Sequence, residues 1–256
     1  MEGREVARRK RRMILGMSTI DELRERKSVR RFLNKPVPAD VRDTIIDCAI
    51  NAPTAGNQML YTILDVTDPA IKKTLARTCD HQGFIADAPL VLVFLADCRR
   101  WRDAYDLAGC QSRDPGVGDW QLACQDALIA AQNAVVAAHA LGLGSCYIGD
   151  MVENREEVVE LLNLDKWVFP VTLLVFGYPT AQQAARPKPE RFDAKYVVLP
   201  DKYRRLTADE LRQMYTDRGD DFEPFIQAVC KRKYMSAFAA EMNRSVAGYL
   251  TAYREG

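Results

Sequence analysis

Helices interleaved with a few buried strands form the fold class that this sequence predicts, on three observations. Pro89–Ala96 and Val168–Gly177 are near-continuous apolar runs, the pattern of strands covered on both faces. Residues 119–141 carry alanine at 123, 127, 130, 131, 134, 137, 138 and 140, which makes a helix smooth enough for another helix to approach closely. Residues 39–50 place Val41, Ile45, Ile46 and Ala49 at helical spacing, so one face is buried. A chain of 256 residues can bury a sizeable core, as one domain or as one domain with extensions.

Taken in order, residues 1–17 read as a flexible leader. Its basic stretch, Arg4 to Arg12, is followed only by Met13-Ile14-Leu15-Gly16-Met17, too short for a signal-peptide core, and Met13 or Met17 is an alternative start. Ser18-Thr19-Ile20-Asp21-Glu22-Leu23 is a helix start, with a hydroxyl cap and carboxylates in the first turn. Pro36 and Pro38 impose an extended exit. The helix over 39–50 ends before Pro53, and residues 53–58 form a small polar loop. Tyr61–Val66 is a strand closed by Asp68-Pro69, and 69–78 an amphipathic helix.

Residues 98–108 are helical and Ser112–Gly118 a loop. The alanine-rich helix is expected to be central or to form a subunit interface, and it ends at Leu141-Gly142-Leu143-Gly144. His139 on this helix reads as a hydrogen-bonded core residue before a catalyst. Ser145–Asp150 is a short strand leading into a turn, 152–162 a helix, and Val168–Gly177 a strand leaving through Tyr178-Pro179. Ala185–Phe192 is proline-stiffened and basic, hence extended. Residues 207–217 and 222–252 are helical, with Phe225, Val229, Met235, Phe238, Met242 and Val246 as apolar anchors. The expected organisation is therefore a domain over 18–205 followed by a C-terminal helical extension over 206–256.

Composition removes several function classes. A net charge of +1 argues against a nucleic-acid partner. There is no run of about 18 apolar residues, so no membrane-spanning helix is expected. The cysteine count of 7 is odd and no pair has C-x-x-C spacing, which argues against a disulfide framework, an iron–sulfur centre and a zinc ribbon, and favours reduced thiols in the cytoplasm. G-x-S-x-G, H-E-x-x-H and the phosphate loop of nucleotidases are missing, and His81 and His139 are the only histidines, so no metal is expected. Gly142-Leu143-Gly144 does not continue as a dinucleotide fingerprint, because Tyr147 stands where the third glycine belongs. An enzyme with these residues needs an organic cofactor.

The chemistry-bearing stretch is Arg26-Lys27-Ser28-Val29-Arg30-Arg31-Phe32. It crowds cations around one hydroxyl, a donor set suited to phosphate oxygens. The same residues also suit a solvated helix C-terminus, where cations complement the dipole. Asn51-Ala52-Pro53-Thr54-Ala55-Gly56-Asn57 is a loop at which a flat ligand can approach the backbone, and it equally suits a plain connector. The basic segment Arg186-Pro187-Lys188-Pro189-Glu190-Arg191 presents cations, or serves as a solvated linker.

With Gly142–Gly149 and Gly177-Tyr178-Pro179, these segments occur in the order and spacing of the FMN-dependent nitroreductase family, which the chain resembles over about residues 18–205. The resemblance implies an α+β fold, a mixed central sheet flanked by helices, in an intertwined homodimer with FMN at the interface. Arg26, Lys27, Ser28 and Arg30 then belong to the first FMN-binding segment. Arg26 and Ser28 hold the phosphate, and Arg30 faces the ring edge that becomes negative on reduction. Pro53, Thr54 and Asn57 form the second segment, with Asn57 reaching the pyrimidine edge from the partner subunit. Tyr147, Ile148 and Gly149 line the ring, with the Gly149 N–H near N5, and Lys188 or Arg191 closes on the phosphate.

The implied activity is ping-pong hydride transfer from NADH or NADPH to a small oxidant such as a nitroaromatic or quinone. Two rivals stay open: a related flavin enzyme of dehalogenating or dehydrogenating chemistry, and a non-enzymatic FMN-binding protein. Two departures from the family pattern stand out. Gln58-Met59-Leu60-Tyr61 replaces a Gln-Pro-Trp continuation, and Glu190 intervenes before Arg191.

Overall fold

The computed structural model describes residues 18–254, so the leader expected over 1–17 lies outside the described residues. Strands β1 (Tyr61–Asp65), β2 (Leu90–Asp97), β3 (Gly144–Ile148) and β4 (Val168–Gly177) form one sheet in the order β1-β2-β4-β3, with every pairing antiparallel. The parallel part of the expected mixed sheet is confined, among the described residues, to a single bridge between Ser28 and Ser145.

The sheet is covered on both faces, as the apolar runs require. From Leu90 to Ala96 no residue of β2 is more than 4% exposed. Leu92 and Phe94 pack with Ile45 and Ala49 of α2 (Ala39–Ile50) and with Ala127, Ala130, Ala131, Ala134 and Ala138 of α5 (Val117–Ala140). Val91, Val93 and Leu95 point the other way, to Leu75 of α3 (Pro69–Thr78) and Val158 of α6 (Arg155–Leu162). Period-two alternation thus feeds two cores, and each fully buried side chain of this size contributes about 1.5–3 kcal/mol. The alanines of α5 let it lie close against α2 and the sheet. The helix begins two residues before the expected position 119, because the Gly116 N–H donates to the Asp119 carboxylate at 2.8 Å and closes the first turn. The remaining helices are α1 (Thr19–Glu25), α4 (Arg99–Leu107), α7 (Ala181–Ala185), α8 (Ala208–Thr216), α9 (Phe222–Val229) and α10 (Ala237–Arg254).

The C-terminal extension differs from expectation in two respects. The helix expected over 222–252 is broken: α9 widens into a π-helical turn at Cys230–Tyr234, and α10 restarts where the Ser236 hydroxyl caps the Ala239 N–H at 3.2 Å. Met235, expected as an apolar anchor, sits at this break and is 76% exposed. Helix α10 packs on its own chain. Tyr249 meets Phe169 edge-on at 5.1 Å, and the Trp167 indole N–H donates to the Ala252 carbonyl at 2.9 Å.

Helix α10 also caps α6. Asn154 is left-handed and spends its amide on the Thr78 carbonyl, so the orphan N–H groups of Asn154 and Arg155 donate instead to Glu241 at 3.2 Å and to the Ser245 hydroxyl at 3.0 Å.

Beside that cap, burial and the carboxylates of Asp80, Asp150 and Glu241 raise the Glu153 pKa. A carboxyl raised in the fold favours folding while protonated, and that contribution is lost as pH rises through its folded value. Replacing Glu153 with Gln is therefore expected to raise Tm by about 2–4 °C at neutral pH and not at all below the ordinary glutamate range, read by thermal melts at the two pH values.

Candidate functional site

Two glycines bring the separate basic segments together. A Cβ on Gly144 would stand 2.5 Å from Val29, and one on Gly177 would stand 2.8 Å from Phe32. Without side chains at these positions, segment 28–32 lies directly across the ends of β3 and β4. The Val29 N–H donates to the Ser145 carbonyl at 2.9 Å, and the Leu33 N–H to the Tyr178 carbonyl at 2.8 Å. The segment Arg186–Arg191 then folds back over it. The Arg186 guanidinium donates to the Ser28 carbonyl at 2.5 Å, and the Lys188 ammonium to the Arg24 carbonyl at 2.6 Å, at the C-terminus of α1. The Lys27 ammonium donates to the carbonyls of Ala184 and Arg186, and the Arg30 N–H to Gln183 Oε1 at 3.2 Å.

The result is a cavity of about 200 Å³ walled by Arg26, Lys27, Ser28, Arg30, Arg186, Lys188, Pro189 and Arg191. Among the described residues none of these cations forms an ion pair with a carboxylate. Among the described residues, Arg26 Nε and Arg186 Nε are buried without an acceptor. Burial and the charges of Arg26 and Arg191 lower the Lys188 pKa, so the cations repel one another. His139 lies behind this wall. Burial, with Arg26, Lys188 and Lys27 nearby, lowers its pKa, and among the described residues its Nε2 has no partner, so the expected core hydrogen bond at that nitrogen is missing there.

Six residues singled out in the sequence, Arg26, Lys27, Ser28, Arg30, Lys188 and Arg191, thus meet in one place. Arg186 completes the wall and was not among them. A proline-spaced run offers several cations, and the sequence does not say which of them turns inward. Tyr147 stands on β3 with its hydroxyl donating to Gln132 at 3.2 Å, and burial pushes its pKa up to about 12. Ile148 is 2% exposed and its side chain belongs to the core, which leaves only its backbone for a ligand. Gly149 faces open space, with nothing within 4 Å of where a Cβ would be.

Pro53, Thr54 and Asn57 do not reach this cavity. Their loop is a short 3₁₀ turn over Ala55–Asn57, with both Gly56 and Asn57 left-handed. Asp126 of α5, 2% exposed, holds it. That carboxylate accepts from the Thr54 hydroxyl, from the Ala55 N–H at 3.0 Å and from the Leu60 N–H at 3.2 Å. The Thr54 hydroxyl also accepts from the Met59 N–H at 2.9 Å, so it is engaged within the loop, while Pro53 and Asn57 are exposed. Sequence reasoning missed Asp126, a lone carboxylate on an alanine helix. Beyond Gln58, Trp101, Tyr105 and Arg102 border a separate cavity of about 320 Å³. Among the described residues no group of histidine, cysteine, aspartate and glutamate is placed to hold a metal, and no helix is long and apolar enough to cross a membrane.

A sequence profile of the Nitroreductase family matches residues 23–178, which contain the first basic segment, the Asp126-held loop and all four strands. The FMN reductase [NAD(P)H] of Bacillus subtilis is 34% identical over 171 residues, 66% of this chain and 69% of that protein. The oxygen-insensitive NADPH nitroreductase of Salmonella typhimurium is 31% identical over 79% of this chain and 85% of its own length. Among solved structures, B. megaterium NfrA2 superposes with a TM-score of 0.76 at 29% identity and covers 90% of this chain and 98% of its own. That coverage is too large to leave the whole C-terminal extension outside the shared fold, contrary to the expectation that the likeness ends near residue 205. The profile match and these two sequence relatives establish that this chain belongs to the nitroreductase family.

Proposed function

We propose that this protein is an FMN-dependent oxidoreductase that takes electrons from NADH or NADPH and passes them to a nitroaromatic, a quinone or a similar small oxidant. The observation that carries this reading is the cavity whose cations have no carboxylate partner among the described residues. Buried guanidinium N–H groups without acceptors, beside a hydroxyl, call for a polyanion with several acceptor oxygens, and a phosphate monoester fits that donor set. When bound, FMN supplies the two-electron chemistry that no side chain here provides.

The residues divide the work. Arg26, Ser28, Arg186, Lys188 and Arg191 are assigned the phosphate, and Lys27 braces the wall through carbonyls of the opposite segment. Arg30 brings a fixed positive charge to the ring side, where it favours added negative charge. Tyr147, the Ile148 backbone and Gly149 are assigned one wall of the ring site. The open space over Gly149 is assigned to nicotinamide and oxidant in turn, the arrangement of a ping-pong cycle. The described tail does not line the cationic cavity.

Pro53, Thr54 and Asn57 are assigned to the site of a second subunit. The exposed apolar side chains of Leu122, Leu128 and Ile129 on α5, with Ile50 on α2, support a homodimer in which those loops are exchanged. The seven free cysteines suit a cytoplasmic location. The test is an anaerobic visible spectrum of the purified protein with NADH and then NADPH. Bleaching of the flavin bands is expected with at least one donor, and a flavin that stays oxidised with both would overturn the reductase reading.

A further inference from the structure

We infer that the C-terminal extension positions Arg191 in the phosphate wall, through an aromatic cluster outside the cavity, and so sets the preference for a phosphorylated flavin. This rests on the functional reading above.

The two halves of the basic segment are held differently. Up to Lys188 it is tied to the α1 end of the site, by Arg186 to the Ser28 carbonyl, Lys188 to the Arg24 carbonyl, and Lys27 to the carbonyls of Ala184 and Arg186. Beyond Pro189 those ties stop. Arg191 makes no hydrogen bond or ion pair among the described residues, yet it lines the cavity. The next residue is the anchor. The Phe192 ring meets Tyr215 of α8 edge-on at 5.2 Å, and Tyr215 meets Phe222 and Phe225 of α9 at 5.6 Å each.

The Arg218 guanidinium closes the cluster, 4.4 Å from the Phe192 ring centre and 5.2 Å from that of Phe225. Asp220 balances its charge at 2.5 Å. A second tie follows, where the Tyr196 hydroxyl and the Lys195 ammonium donate to Asp217 at 2.8 Å and 3.0 Å. Segment 190–196 is thus docked on α8 and α9, and Arg191 is carried to the cavity by that docking. Tyr215 and Phe192 are positioning residues. They touch no part of the cavity and act through Arg191.

The consequence is selective. Only the phosphate end of the ligand meets Arg191, so loosening the cluster weakens FMN and leaves riboflavin, which has no phosphate, nearly unaffected. Kd is measured for both flavins, by fluorescence quenching, on the full chain and on Tyr215→Ala. The expected result is FMN weakened about 10-fold and riboflavin by no more than about 2-fold, with Tyr215→Phe restoring the wild-type ratio because the ring remains. Phe192→Leu, which keeps apolar volume, is expected to show the same selective loss if Tyr215→Ala does not fold. Unchanged FMN affinity in a folded variant, or equal weakening of both flavins, would overturn the positioning role. A wild-type chain that binds neither flavin overturns the functional reading itself, an outcome distinct from both.

Discussion

Replacing Arg26 with glutamine is expected to weaken FMN binding by about 10–100-fold, the range for losing one or two charge-assisted hydrogen bonds to a phosphate. The same change is expected to leave the flavin-free protein no less stable, and this second sign is what makes the prediction specific. Arg26 stands among Lys27, Arg30, Arg186, Lys188 and Arg191, and its Nε is buried with no acceptor. Removing one cation relieves repulsion that already lowers the Lys188 pKa. Ligand affinity and apo stability should therefore move in opposite directions. A residue that merely held the fold would lose both. Flavin titration and a thermal melt of the stripped protein separate the two cases, and a destabilised apo variant with unchanged FMN affinity would refute the assignment.

The second large effect concerns the face of α5. Leu122 and Ile129 lie seven positions apart and so share one side of the helix, with Leu128 beside them, while the alanines of the opposite side are fully buried. Introducing a charge by Ile129→Glu is expected to convert the proposed dimer to a monomer in light scattering. The folded core should remain, because the Ile129 side chain is 40% exposed within one chain. FMN retention is expected to fall by more than about 10-fold in the same variant, since the exposed Asn57 loop would no longer reach a neighbouring site. A variant that becomes monomeric and keeps its flavin would show that the site is complete within one subunit.

Much of this architecture was legible in the residues. The apolar runs at 89–96 and 168–177 read as buried strands, and the alanines of 119–141 announced a helix laid against other structure. The cationic cavity was legible as two short segments, each dense enough in charge to stand out. Three features escaped. Arg186 was indistinguishable from its basic neighbours, because inward orientation is decided by the carbonyl of Ser28 in a distant segment. Asp126 looked like one more polar residue on a long helix, and its role arises only where the 53–60 loop crosses it. The break at Cys230–Tyr234 was hidden, since the apolar spacing of the tail continues across it while the backbone does not.

The most direct test of the central claim, that the cationic cavity selects a phosphate-bearing flavin, is the affinity of the unaltered protein for FMN against riboflavin. FMN is expected to bind at least about 10-fold more tightly, with the gap narrowing as salt is added, because partly exposed cations supply the difference. Equal affinity for the two flavins at low salt would contradict the account.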